Sequence, residues 1–99
     1  MHMFVYIIRA MNFTWKETKR LSNLKKHRQD FTQVEQVFAG PTMTDEDRRN
    51  YQGEQRFNTM GLLGVQVVVI THTETEDQIH IISMREAENH ETRKFFSYI

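Results

Sequence analysis

The chain has no cysteine, one proline and only four glycines in 99 residues. Lack of cysteine excludes a disulfide framework and every thiolate metal site, and it suits a reducing cytosol. Sparse proline and glycine go with the absence of any linker, repeat or low-complexity tract. No hydrophobic run approaches the roughly 18 residues of a membrane span. The opening Met1–Ala10 is too short for a secretory signal and lacks its charged start. Net charge is missing as well: thirteen Lys and Arg stand against thirteen Asp and Glu. That argues against coating nucleic acid by bulk attraction. What is present suffices for one core. Leu, Ile, Val and Phe make up 25 of the 99 residues, above the roughly 20% below which chains stay disordered. The length fits one domain spanning residues 1–99.

The zero net charge hides a gradient. Residues 1–30 carry seven basic groups against Glu17 and Asp30, a balance of +5. Residues 31–60 sum to −2, residues 61–84 to −3, and residues 85–99 to zero. A basic front segment can meet phosphates on a molecule without a strong overall field. A solvated helix face would account for the same charges.

The pattern predicts an α+β domain, with two N-terminal helices and a C-terminal helix packed on a small antiparallel sheet. Phe4–Ile8 is strand-like, and Asn12–Trp15 reads as a strand feeding a helix. Thr14-x-x-Glu17 fits a capping box opening a helix from about Trp15 to His27, with Thr18, Leu21 and Leu24 as a thin apolar stripe. Asp30-x-x-Gln33 starts a second helix whose apolar face is Phe31, Val34, Val37 and Phe38. Gly40-Pro41 should end it with a left-handed cap. Thr42–Thr44 is a weak strand and Asp45–Asn50 a loop. Arg56–Leu62 and Val65–Thr73 form a hairpin around Leu63-Gly64, and Val65–Ile70, apolar on both faces, belongs in the middle of the sheet. Gln78–Ser83 is the next strand. Ser83-x-x-Glu86 would then cap a helix over Met84–Phe96.

Five histidines raise the question of metal, but none sits in a two-His helical motif, so no metal or other cofactor is expected. Ser83 is better suited to a helix cap than to nucleophilic attack. Lys26-His27 ends the first helix, where the dipole alone would favour positive charge. Glu54-x-Arg56 enters a strand, and Arg85 follows Ile81-Ile82-Ser83. His72 and His80 lie on adjacent strands. If the turn pairs Glu74 with Gln78, they sit opposite one another on one face; a register one residue different puts them on opposite faces.

Taken together, Asn23-x-x-Lys26-His27, Phe31, Val37-Phe38-x-Gly40-Pro41, Gly53-Glu54-x-Arg56, Gly61, Val69-x-x-His72-Thr73-Glu74, Ile81-Ile82-Ser83-x-Arg85-x-Ala87 and Glu91-x-Arg93 resemble the BrnT family of bacterial toxins, which share the RelE-like ribonuclease fold. The resemblance covers about Met11–Phe96 and leaves residues 1–10 as an extension, either an extra strand or an upstream start. It implies a cytoplasmic, metal-independent endoribonuclease that cleaves messenger RNA and inhibits translation. It also implies a cognate BrnA-like, ribbon-helix-helix antitoxin, operator DNA met only through the complex, and autorepression. The alternative is a catalytically weak module that acts through antitoxin binding. Carried over, Arg56 and Arg85 would stabilise a phosphorane, with Glu74 or Glu54 as base and His80 as acid or base. Lys25, Lys26, His27 and His72 would bind substrate. Arg56 could instead hold the fold in an ion pair with Glu54 or another acid. Three departures from the family pattern stand out: Arg28 replaces the usual glycine after Lys-His, His80 the usual arginine before Ile-Ile-Ser, and Phe95-Phe96 the tyrosine frequent near the family's end, with Tyr98 beyond.

Overall fold

A computed structural model describes residues 2–4, 11–49 and 53–99. In chain order the elements are β1 (His2–Phe4), β2 (Asn12–Thr14), α1 (Glu17–His27), a 3-10 turn (Phe31–Gln33) running into α2 (Val34–Phe38), β3 (Thr42–Asp47), β4 (Arg56–Leu63), β5 (Gln66–Glu74), β6 (Gln78–Glu86) and α3 (Asn89–Tyr98). Of the strand expected over Phe4–Ile8, residues 5–8 lie outside the described residues.

The six strands form one sheet in the order β1-β3-β4-β5-β6-β2. The α+β class holds, but the sheet is mixed rather than antiparallel: β2 runs parallel to β6, with Thr14 beside His80. Both helices and three strands intervene between β2 and β6, so no hairpin imposes a direction on this pair. β5 lies between β4 and β6, as its two apolar faces require. Gly64 at φ +63° makes the β4–β5 turn with fully exposed Val65.

The strands alternate residues between two layers. On one side Val68, Ile70, Ile79, Ile81 and Met84 pack under Phe31, Val34, Val37 and Phe38. On the other, Phe95 of α3 closes over Met43, Met60, Val67 and Val69. The helices therefore cover opposite faces. Gly61 lets α2 approach closely, since a Cβ there would lie 2.6 Å from Val37 Cγ1.

Four local expectations are corrected. Thr14 does not cap α1, whose N-cap is Lys16 without a side-chain bond. Gly40 does not adopt a left-handed conformation, and α2 ends at right-handed Ala39. Asp45–Asp47 continue β3, held by pairing with Asn58, Phe57 and Arg56. β6 runs on to Glu86, so Ser83 pairs with Thr71 and the capping box forms later, between Glu88 and Glu91. Asp30 does cap, accepting from the Thr32 N–H at 3.0 Å.

Helix α1 holds on by a polar side chain. Leu21 and Leu24 are 53% and 37% exposed, and the buried residue is Asn23. Its amide donates to Met84 O at 2.8 Å and to Gln29 O at 3.0 Å, and its Oδ1 accepts from Met84 N–H at 3.1 Å. β2 pairs with β6 only from Gln78 to His80. Asn23 thus takes a strand's place beside Met84, satisfying edge groups that burial would otherwise leave unpaired.

The helix ends at Arg28 with φ 59° and ψ 28°, its N–H bonded to Leu24 O. The turn keeps the left-handed geometry that glycine would adopt without strain. Arg28→Gly should therefore raise stability by about 1 kcal/mol. Chemical denaturation checks this; a loss of stability would show that the Arg28 side chain outweighs its backbone strain.

Candidate functional site

The face carrying α3 is only partly covered by it. Beyond Met60 and Val69 the same face continues as a polar row. Asp47 pairs with Arg56, Thr73 lies beside Arg56 and pairs with His80, and His80 neighbours Thr14. Arg56 and His80, on strands two apart, have Cα atoms about 10 Å from each other, within reach of their side chains.

Around them lies a cleft of 310 Å³ lined by Lys16, Lys19, Glu54, Arg56, His80, Ile81 and Ile82. Lys16 and Lys19 come from the start of α1, which lies along β6. The Arg56 Nε is buried with no hydrogen-bond partner among the described residues, and Glu54 Oε1 stands 3.7 Å away. His80 Nδ1 is 2.9 Å from Thr14 Oγ1, which also accepts from Gln78 Nε2 at 3.2 Å.

A second recess on this face, 210 Å³, is lined by Asp45, Asn58, Arg85, His90, Glu91 and Lys94 together with Met43, Met60 and Val69. Arg85 is held there by a two-pronged pair with Glu91, at 2.8 and 3.0 Å. The Glu91 carboxylate raises the Arg85 pKa, and the guanidinium lowers that of Glu91. Further along, at the end of β3, Arg49 grips Asp47 through Nε and Nη2 and holds that carboxyl at about 2.

Arg85 and His80 share a face only because β6 is irregular. Thr71 pairs with Ser83 but the next residue, His72, pairs with Ile81, leaving Ile82 as an extra residue. Five positions separate His80 from Arg85, and a regular strand would point them to opposite sides. The bulge corrects the parity. Along the strands Arg85 remains roughly 16 Å from Arg56.

The structure thus gathers some expected site residues and separates others. Arg56 and His80 meet, with Glu54 beside them. Arg85 lies on the same face in its own recess. Lys25, Lys26 and His27 occupy the last turn of α1 and line neither recess. The hairpin register gives Glu74 opposite Ile79, not Gln78, so His72 and His80 point to opposite faces. Glu74 accordingly lies on the far side from the cleft, 3.5 Å from His72 Nδ1; of the two carboxylates expected as a base, Glu54 is the one that lines the cleft. Lys16, Lys19 and Thr14 were missed as site residues. The +5 front segment signalled the lysines, whereas Thr14 carried the wrong signal, that of a cap.

His72, expected to bind substrate, is fully buried. Its Nε2 is 2.7 Å from Thr59 Oγ1, which is 2.7 Å from Thr44 Oγ1, and the ring packs against Phe38 and Phe57. Burial pushes its pKa from 6.5 down to about 4. The folded state therefore binds fewer protons than the unfolded chain between these values. The stability associated with neutral His72 is complete above about pH 6.5 and falls by ~3 kcal/mol as the pH drops to about 4. Urea unfolding at pH 7.5 and 4.5 should show a lower midpoint at 4.5 in the wild type and a smaller change in His72→Gln. Equal drops in both proteins would remove His72 as the cause.

Among the described residues no three His, Asp or Glu side chains group as metal ligands, and no helix is long and apolar enough to cross a membrane. The surroundings of Arg56 and His80 suit binding and charge compensation of a phosphodiester. A search of curated proteins gives no match. A family model described as the ribonuclease toxin BrnT of type II toxin–antitoxin systems matches residues 15–91, from Trp15 before α1 to Glu91 on Arg85. That span contains both recesses' arginines, the bulged strand and Asn23, and by this match the chain belongs to the BrnT family of ribonuclease toxins of type II toxin–antitoxin systems.

Proposed function

We propose that the chain is a RelE-like, metal-independent endoribonuclease of the cytoplasm that cuts messenger RNA in the Arg56–His80 cleft and so inhibits translation. The observation that carries this is the buried Nε of Arg56, without a hydrogen-bond partner among the described residues, in a cleft shared with Lys16, Lys19, Glu54 and His80. The 2′-oxygen of RNA attacks the adjacent phosphorus while its proton passes to the Glu54 carboxylate. Arg56, Lys16 and Lys19 compensate the phosphorane charge. The bond to the 5′-oxygen breaks, and that oxygen takes a proton from protonated His80. The products are a 2′,3′-cyclic phosphate and a 5′-hydroxyl. Arg85, Lys25, Lys26 and His27 bind neighbouring stretches of the strand.

A small ribbon-helix-helix antitoxin of the BrnA type would neutralise the toxin, and the complex would repress its own operon. Purified chain incubated with a transcript should yield cyclic-phosphate ends in the presence of EDTA, with or without ribosomes. RNA left intact under both conditions would overturn the catalytic reading. A catalytically weak module working through its antitoxin is the second reading. It is favoured by the roughly 16 Å between Arg56 and Arg85. Intact RNA together with tight antitoxin binding would support it.

A further inference from the structure

Thr14 stands where a helix cap would be, yet the helix begins without it. The hydroxyl is engaged across the parallel β2–β6 pair. It accepts from Gln78 Nε2 at 3.2 Å and lies 2.9 Å from His80 Nδ1. A hydroxyl has one proton to give and a ring nitrogen can accept only when bare. With Gln78 donating, the hydroxyl could still accept from Nδ1, but its own proton would then have no partner among the described residues. Giving that proton to a bare Nδ1 satisfies both groups, and the neutral imidazole then carries its own proton on Nε2. Nε2 has no hydrogen-bond partner among the described residues, and the ring lines the cleft beside Arg56, Lys16, Lys19 and Glu54.

We propose that Thr14 is a positioning residue: it anchors His80 by Nδ1 and presents Nε2–H to the bound phosphodiester. This rests on the ribonuclease reading of the cleft. When the ring is charged, both nitrogens carry protons, and the Thr14 hydroxyl turns to accept from Nδ1. Nε2 is therefore protonated in either state, so His80 meets substrate only as a donor. It hydrogen-bonds a phosphate oxygen when neutral and, when charged, gives the Nε2 proton to the departing 5′-oxygen. The proton of the attacking 2′-hydroxyl must go elsewhere, to the Glu54 carboxylate. His80 thus fills a donor's place, which explains how it can stand where arginine is usual in the resembling family.

The test uses the full chain labelled with 15N and 13C, as wild type, Thr14→Val and Thr14→Ser. Ring-nitrogen spectra of wild type above pH 8 should show His80 protonated on Nε2 and bare on Nδ1. Thr14→Val should give mixed tautomers, and Thr14→Ser should restore the wild-type pattern. With an in vitro transcript, kcat should fall roughly tenfold or more in Thr14→Val with KM nearly unchanged, and return in Thr14→Ser. A proton on Nδ1 in the wild type, or a Thr14→Val protein that cleaves at the wild-type rate, would overturn the proposal. Absence of cleavage by the wild type would overturn the ribonuclease reading and the catalytic use of His80 with it. The ring spectra decide the anchoring either way.

Discussion

Arg56→Ala should lower kcat/KM for RNA cleavage by roughly 10²–10³-fold, the usual loss on removing a main stabiliser of transition-state charge. The sequence left open whether Arg56 serves chemistry or holds the fold through Glu54. Geometry favours chemistry. The Glu54 side chain is 61% exposed and its oxygen is 3.7 Å from Nε, so the pair adds little to stability. Nε itself is buried without a hydrogen-bond partner among the described residues, a donor that a bound phosphate would satisfy. Arg56→Ala should accordingly leave thermal unfolding almost unchanged. Arg56→Lys should recover part of the rate, because the charge survives while the two-pronged fork does not. Steady-state cleavage of a transcript, set beside a melting curve for each variant, decides the matter. A large fall in Tm with a modest fall in rate would return Arg56 to a structural role.

The largest loss of stability is expected at Asn23. Asn23→Ala removes the partners of three backbone groups at once: Met84 N–H, Met84 C=O and Gln29 C=O. Each such group left buried and unpaired costs about 1–3 kcal/mol, and water entering the space vacated by the amide recovers part of that. A net loss of about 3 kcal/mol would lower Tm by roughly 15 °C for a domain of this size. Asn23→Asp should be nearly as damaging, since a carboxylate accepts from Met84 N–H but has no proton for the two carbonyls. Differential scanning calorimetry measures both. A Tm within a few degrees of wild type in Asn23→Ala would show that β6 does not depend on its surrogate neighbour.

Much of the architecture could be read from periodicity. Phe31, Val34, Val37 and Phe38 were expected on one apolar face, and all four are buried. The stretch after Gly64 was placed in the middle of the sheet and lies there. Local signals failed where a tertiary contact outbid them. Thr14 was drawn from α1 to His80 across the β2–β6 pair. The Asp45–Asp47 strand follows from pairing with β4, which its charged residues do not announce. Leu21 and Leu24 suggested an apolar stripe on α1, whereas the side chain that seats the helix is polar Asn23.

The candidate site was legible in composition and not in arrangement. Arg56, His80 and Arg85 could be chosen as chemistry-bearing residues in the sequence. Their distribution depends on hairpin register and on the bulge at Ile82, neither of which leaves a reliable mark in the residues themselves. A shift of one residue in the β5–β6 register separates His72 from His80 and sends Glu74 to the wrong side.

The bulge also bears on which kinds of genetic change β6 can absorb. Shortening the strand by Ile82 would restore regular pairing with Ser83 still opposite Thr71 and Ile81 still opposite His72, so every side chain would keep its present face. Arg85 and His80 would both stay on the open face and Met84 in the apolar layer of Val68 and Ile70. One residue inserted into the paired part of the strand, with the bulge kept, would instead turn every residue on one side of it to the opposite face. Exchange of the Ile82 side chain for another apolar one disturbs neither face. The bulge is thus slack in the chain, and loss of the single codon at Ile82 should be less harmful than loss of one codon within a strand that is regular on both sides, such as β4.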